Sequence, residues 1–245
     1  MSIDRSLVAF FLGVPAAMAG TTDDAVPDAR YLAYAEAFAP YTARIGGKSA
    51  DGNRAEATAT LLSPHWAITA AHVAHGLTDV VLTSGSRSRP AQIVVVHPQW
   101  ESSGGDIALV RCDEPLHLGY YPPLSDGGEK VGQVVSIAGF GSTGRLSEGH
   151  GTFDGRLRAG TQTIERFERS LIVCHAQPGS SALEFCIAPG DSGGPLFCAG
   201  KLAGINSFTM AAKGKKLKSR SGEETAHTRV SLYAEWVRSV TEGGR

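Results

Sequence analysis

The chain has 245 residues, 42% of them hydrophobic and 19% charged, with 30 glycines and four cysteines. That length is ample for a substantial core, in one large all-β unit or two small domains, and four cysteines are too few for a disulfide-dense miniprotein. A formal net charge of −1 supplies no global field that would draw nucleic acid or an anionic membrane, so neither is expected as a partner.

Leu7–Val14 is a short apolar run behind Arg5, and Ala17-Met18-Ala19 supplies a small-residue cleavage site before Gly20. This pattern predicts a secretory signal peptide over residues 1–19, too short to span a bilayer, and a secreted or periplasmic mature protein. Tyr31–Phe38 reads as a short helix ended by Pro40. From Tyr41 onward, short apolar runs alternate with Gly, Ser, Asp and Pro clusters. The runs are Ala57–Leu62, Trp66–Ala70, Val80–Thr83, Gln92–Val96, Ile107–Val110, Val131–Phe140, Ser170–Val173 and Leu202–Phe208. Their length and spacing predict an all-β sandwich or barrel. In Ser231–Val240, Leu232, Trp236 and Val240 fall at i, i+4 and i+8, which predicts an amphipathic helix over 231–241 with Ser231 as its cap.

Three stretches carry chemistry. Gly190-Asp191-Ser192-Gly193-Gly194-Pro195 is too rich in glycine for a helix and too polar for a core strand. A serine on such a turn can stand exposed beside converging main-chain N–H groups, which is what acyl transfer requires. Thr69-Ala70-Ala71-His72 ends an apolar strand with a histidine among small residues, well placed for a base. Asp106 opens the apolar run Ile107–Val110, where a carboxylate must be paired or hydrogen-bonded. Taken singly, the histidine reads rather as a structural or surface residue, and the aspartate as a turn or strand-start residue after Gly104-Gly105. His65, His75, His97, His150 and His175 show no second feature and read as structural or surface histidines.

In this order the three stretches resemble the trypsin/chymotrypsin-like serine peptidases. Ala59–Trp66, Gly204–Phe208 and His227–Val230 followed by Tyr233 and Trp236 extend the resemblance over roughly residues 40–240. It implies two packed antiparallel β-barrels with a C-terminal α-helix, the first barrel over about 41–120 and the second over about 121–230. It also implies a serine endopeptidase acting on protein or peptide substrates. Ser192 would be the nucleophile, His72 the general base and acid, and Asp106 the group orienting His72. The Gly190 and Ser192 N–H groups would form the oxyanion hole. Ser207, Phe208 and Thr209 would pair with an extended substrate, with Ser207 also bonded to Asp106, while Cys186 and Ile187 would lie at the base of the primary pocket. No cofactor or metal is implied, and a monomer is expected. A catalytically silent homologue acting as a binding module is the alternative; an esterase or acyl transferase on the same scaffold is a third.

Set against that family, the sequence departs in three places. Val73 follows His72 and no cysteine precedes Cys112, so a bridge common there is missing. Cys174 and Cys186, which bracket a short loop before the serine, are the favoured pair, and Cys112–Cys198 follows only by elimination. Four cysteines allow three connectivities, with free thiols as an alternative. The family's activating α-amino group pairs with the aspartate beside the nucleophile, here Asp191. Arg44-Ile45-Gly46-Gly47 imitates an activation site, but Ile45 lies only 27 residues before His72, too near to leave chain for the first strands. Gly20 is therefore the expected activating terminus, with Tyr31 after Arg30 as the next choice. Finally, Cys186 stands six residues before Ser192, where an acid would select Arg or Lys, so the expected P1 residue is small or apolar. The basic run Lys213–Arg220 reads as a solvated loop, with an exosite for acidic substrates or an autolysis-prone loop as the sharper alternative.

Overall fold

In the computed structural model the described residues are 20–100, 105–117, 119–211 and 215–243. The expected signal peptide, Gly104 and the start of the basic run at Lys213 lie outside them. The architecture is all-β, as the sequence predicts, and its two halves follow the chain.

The first half is a seven-stranded antiparallel sheet. Its strands are β2 (Thr42–Lys48), β3 (Arg54–Leu61), β4 (Trp66–Thr69), β5 (Thr78–Ser84), β6 (Arg87–Pro90), β7 (Ile93–Val96) and β8 (Ala108–Arg111), in the order β6-β5-β2-β3-β4-β8-β7. A one-turn helix α2 (Ala71–Ala74) follows β4 directly. Period-two alternation decides which way each side chain points. Ala57, Ala59 and Leu61 of β3 face the interior of this half with Ile45, Leu82 and Val110. Ile68 and Leu109 point the other way, into a core shared with the second half.

The second half is a closed six-stranded barrel of β9 (Val134–Gly139), β12 (Arg158–Glu168), β13 (Leu171–His175), β15 (Pro195–Cys198), β16 (Lys201–Met210) and β17 (Glu224–Arg229). Closure leaves these strands without an edge. Ile137, Ile164, Ile172 and Leu196 fill its interior. The contact between halves is itself a hydrophobic core: Ile68, Ile107 and Leu109 pack with Ala138, Phe197 and Ile205.

The segment before β2 belongs structurally to the second half. β1 (Thr21–Thr22) joins a small sheet, parallel to β10 (Gly144–Arg145) and antiparallel to β14 (Phe185–Cys186), with β11 (Gly149–His150) at its edge. Helix α1 covers Asp28–Ala35, three residues earlier than the sequence suggests, because the Pro27 ring opens it. Its Tyr31 is fully buried in the barrel core, and its Asp28 forms a two-point ion pair with the buried Arg158 (2.7 and 2.9 Å).

Two expectations need correction. The final helix α3 runs from Ala234 to Gly243, preceded by a 3₁₀ turn at Val230–Leu232, so Ser231 is not its cap. Ala234 and Val237 are its buried residues, Val230 and Tyr233 are buried in the turn before it, and Leu232 is 56% exposed. The expected bridges Cys174–Cys186 and Cys112–Cys198 are not formed: all four cysteines are free, buried thiols. Cys112 packs in the core of the first half and Cys198 and Cys174 in the barrel, while Cys186 sits with Leu146 and Ala176. Each serves as a small apolar side chain.

Candidate active site

His72 is the second residue of α2, just beyond β4, preceded by the fully buried Ala70 and Ala71 and two residues before the buried Ala74. Ala71 and Ala74 pack with Ala108 of β8. Asp106 precedes β8, which pairs with β4 so that Thr69 lies opposite Ala108. That register brings the two residues together: Asp106 Oδ1 accepts from the His72 main-chain N–H (2.9 Å) and Oδ2 from the ring Nδ1 (2.9 Å). With the proton held on Nδ1, Nε2 is the basic nitrogen of the neutral ring.

Two further groups fix Asp106. Ser207 Oγ donates to Oδ2, and Thr228 Oγ1 donates to the Asp106 carbonyl (2.9 Å). Ser207 reaches this position through a β-bulge: against β17, Asn206 pairs with His227 but Phe208 with Ala226. The extra residue turns its side chain out of the alternation. Asp106 is only 6% exposed, and burial favours its neutral form, yet the charge and hydrogen bonds of His72 and Ser207 hold it below the ordinary carboxylate range. Burial likewise opposes the charged ring of His72, and Asp106 outweighs it, so the His72 pKa lies above the ordinary histidine value.

Ser192 stands on the loop between β14 and β15. Asp191 N–H donates to the Ala188 carbonyl (3.0 Å) and Gly194 N–H to the Asp191 carbonyl (3.0 Å), which winds two successive tight turns. Gly190 (φ +93°) and Gly193 (φ +85°) occupy the left-handed region that glycine tolerates. At Gly193 a Cβ would also overlap Thr69 Oγ1 and the Thr58 carbonyl. Ser192 Oγ donates to the Ser207 carbonyl at 3.3 Å, a long bond that breaks readily. Ser207 thus touches Asp106 with its side chain and Ser192 with its backbone. Among the described residues, neither the Gly190 N–H nor the Ser192 N–H has a protein acceptor.

Asp191 is fully buried. Its Oδ2 accepts from the main-chain nitrogens of Gly20 and Ala188 (2.8 Å each) and its Oδ1 from Gly141 N–H (2.8 Å). Desolvation dominates and pushes its pKa up to about 7 despite these bonds. Gly20 (φ +41°) lies against the Phe185 ring, which a Cβ at residue 20 would overlap.

The remaining expected residues are placed as follows. Thr209 is buried and Phe208 half-buried on β16. Cys186 pairs with Thr21 and is fully buried, and the Ile187 side chain belongs to the barrel core rather than lining an open pocket. The nearest acid upstream, Glu184, is fully buried, with its carboxylate bonded to Ser180 Oγ (2.6 Å), Ser181 Oγ (2.7 Å) and Gln177 N–H (3.3 Å). No group of three or more His, Cys, Asp or Glu among the described residues is arranged to hold a metal.

Sequence reasoning missed two contributors. The buried Asn206 binds the Ala138 and Asp191 carbonyls (3.1 and 3.2 Å) through Nδ2, and is itself held by His227. Thr58 reaches the same loop from the first half. A threonine in an alternating strand carries no sequence signal for such a role.

The family model described as Trypsin matches residues 31–237. Among curated proteins, chymotrypsin-like elastase family member 1 of Felis catus is 30% identical over 213 residues, covering 74% of this chain and 77% of that protein. Snake venom serine proteinase 14 of Crotalus adamanteus is 27% identical over 211 residues, 76% of this chain and 78% of that protein. Among solved structures, mouse neuropsin, described as a serine protease, superposes with a TM-score of 0.67 at 19% identity, covering 90% of this chain and 98% of its own. A scabies mite inactivated protease paralogue superposes with a TM-score of 0.64 at 18% identity, covering 83% and 95%.

Proposed function

The chain belongs to the trypsin family, and from that premise we propose that it is an exported serine endopeptidase using Ser192, His72 and Asp106. The fold alone does not carry this reading, since one structural neighbour is described as inactivated. The observation that carries it is the Asp106 carboxylate gripping both the backbone and the ring of His72, with Ser207 linking that pair to Ser192.

Nε2 of His72 takes the Ser192 proton as Oγ attacks the scissile carbonyl carbon, and the carbonyl π electrons move onto oxygen. The Gly190 and Ser192 N–H groups bind that oxyanion. The imidazolium then returns the proton to the leaving amine as the C–N bond breaks, leaving an acyl-enzyme on Ser192. Water repeats the sequence and releases the acid. Asp106 stays ionised throughout and stabilises the imidazolium.

Export and activation are one event on this reading. Cleavage after Ala19 would convert the Gly20 amide into an α-ammonium group 2.8 Å from Asp191, a carboxylate whose present hydrogen bonds come from main-chain N–H groups. That charge would offset the cost of burying Asp191 and order the loop carrying Gly190. P1 is non-basic, since Cys186 replaces an acid and the Glu184 carboxylate is engaged by its own loop. A panel of peptides varied at P1 should show small or apolar residues cleaved faster than Arg or Lys; strong preference for either cation would overturn this.

The direct test is labelling by a fluorophosphonate. Wild-type protein should react at Ser192, and Ser192→Ala should neither react nor retain more than about 10⁻⁴ of kcat. Full activity in that variant would remove Ser192 from the mechanism.

A further inference from the structure

Thr58 is fully buried in β3 and makes three hydrogen bonds to the second half of the molecule. Its main-chain N–H donates to the Ser192 carbonyl (3.0 Å). Its hydroxyl accepts from Phe140 N–H (3.0 Å) and donates to the Gly190 carbonyl (2.8 Å). A fourth bond, from Thr69 Oγ1 to the Thr58 carbonyl (2.8 Å), holds the residue from its own side. The two carbonyls that Thr58 grips belong to Gly190 and Ser192, the residues assigned above as oxyanion donors.

We propose that Thr58 is a positioning residue for the oxyanion hole, its hydroxyl clamping the Gly190 carbonyl from the opposite half of the molecule. This rests on the peptidase reading of the same site. Gly190 sits at φ +93°, where it has no Cβ to limit rotation, so its backbone needs an external restraint. Asp191 supplies one on its far side. Thr58 supplies the one on the carbonyl itself, and because the peptide unit is planar, holding that oxygen sets the plane leading into Asp191. Phe140 N–H occupies one lone pair of the hydroxyl, so its proton is directed at Gly190. The hydroxyl therefore couples the Phe140–Gly141 turn, the nucleophile loop and β3 at one point.

Thr58→Val keeps the shape and the main-chain bond to Ser192 but removes the clamp. A loosened donor should cost about 10- to 100-fold in kcat, with KM within about threefold. Affinity for a peptidyl boronate, which forms the tetrahedral adduct, should fall by a similar factor, while binding of the matching unreactive peptide amide should not change. Thr58→Ser, which restores the hydroxyl, should recover most of the loss. Should Thr58→Val not fold, Thr58→Ala compared with Thr58→Ser reads the same difference. Wild-type values of kcat and boronate affinity in Thr58→Val would overturn the proposal. So would equal losses in Thr58→Val and Thr58→Ser, because the restored hydroxyl would then have recovered nothing. Wild-type protein is run alongside: if it neither takes a fluorophosphonate at Ser192 nor cleaves peptide, the peptidase reading fails first and the Thr58 inference falls with it.

Discussion

Asp106 shows how one buried charge is made tolerable and useful together. Three donors, the His72 backbone, the His72 ring and Ser207, satisfy a carboxylate that burial alone would neutralise. Against the cost of burial, the Asp106 charge and its hydrogen bond to the ring raise the His72 pKa above 6.5. With neutral His72 as the proposed base, activity should be present above that folded-state pKa and lost as pH falls through it. The acid limb of kcat/KM should therefore lie above 6.5, and a limb at or below 6.5 would contradict the assignment. Asp106→Asn removes the charge while burial remains, so the limb should move to lower pH and kcat should fall on the order of 10⁴-fold.

At the level of elements, the N-terminal segment is a strap on the barrel rather than a leader to the first sheet. β1 sits between β10 and β14, Tyr31 fills part of the barrel core, and Arg158 anchors α1 through Asp28. The strap delivers Gly20 to Asp191 with no room to spare beside Phe185. Gly20→Ala should therefore displace the proposed terminus and reduce kcat/KM by about 10-fold or more, a loss of roughly 1.4 kcal/mol in transition-state stabilisation. Unaltered kinetics with an intact processed terminus would separate Gly20 from activation. The strap was legible in part: Gly20 follows a cleavage pattern, but pairing of Thr21 with Cys186 depends on residues far apart in sequence.

Across the whole molecule, the proposed site exists only because two halves share a core. His72, Asp106 and Thr58 come from the open sheet, and Ser192, Ser207 and Asn206 from the closed barrel. Stability should register the proposed N-terminal cleavage. Asp191 has a folded pKa near 7, above its ordinary 3.8. Its contribution in the uncleaved chain is thus fully present below about pH 4 and lost as pH rises through 7. A terminal ammonium at Gly20 would favour the ionised form and cancel that loss until it deprotonates, ordinarily near pH 8. Between pH 5 and 7.5, Tm should fall more for a cleavage-blocked chain than for one beginning at Gly20. Parallel pH dependences would argue against the ion pair.

The strand texture and the three motifs were readable in the residues, because period-two alternation and dense glycine reflect local backbone demands that any fold must meet. So was the resemblance to the trypsin family, which their order carries. Ile187 turning into the core, Leu232 turning outward and the four thiols staying apart were decided by packing between distant segments. Thr58 was decided the same way: its neighbours in sequence make it a strand residue, and only the approach of the barrel loop gives its hydroxyl the Gly190 carbonyl to hold.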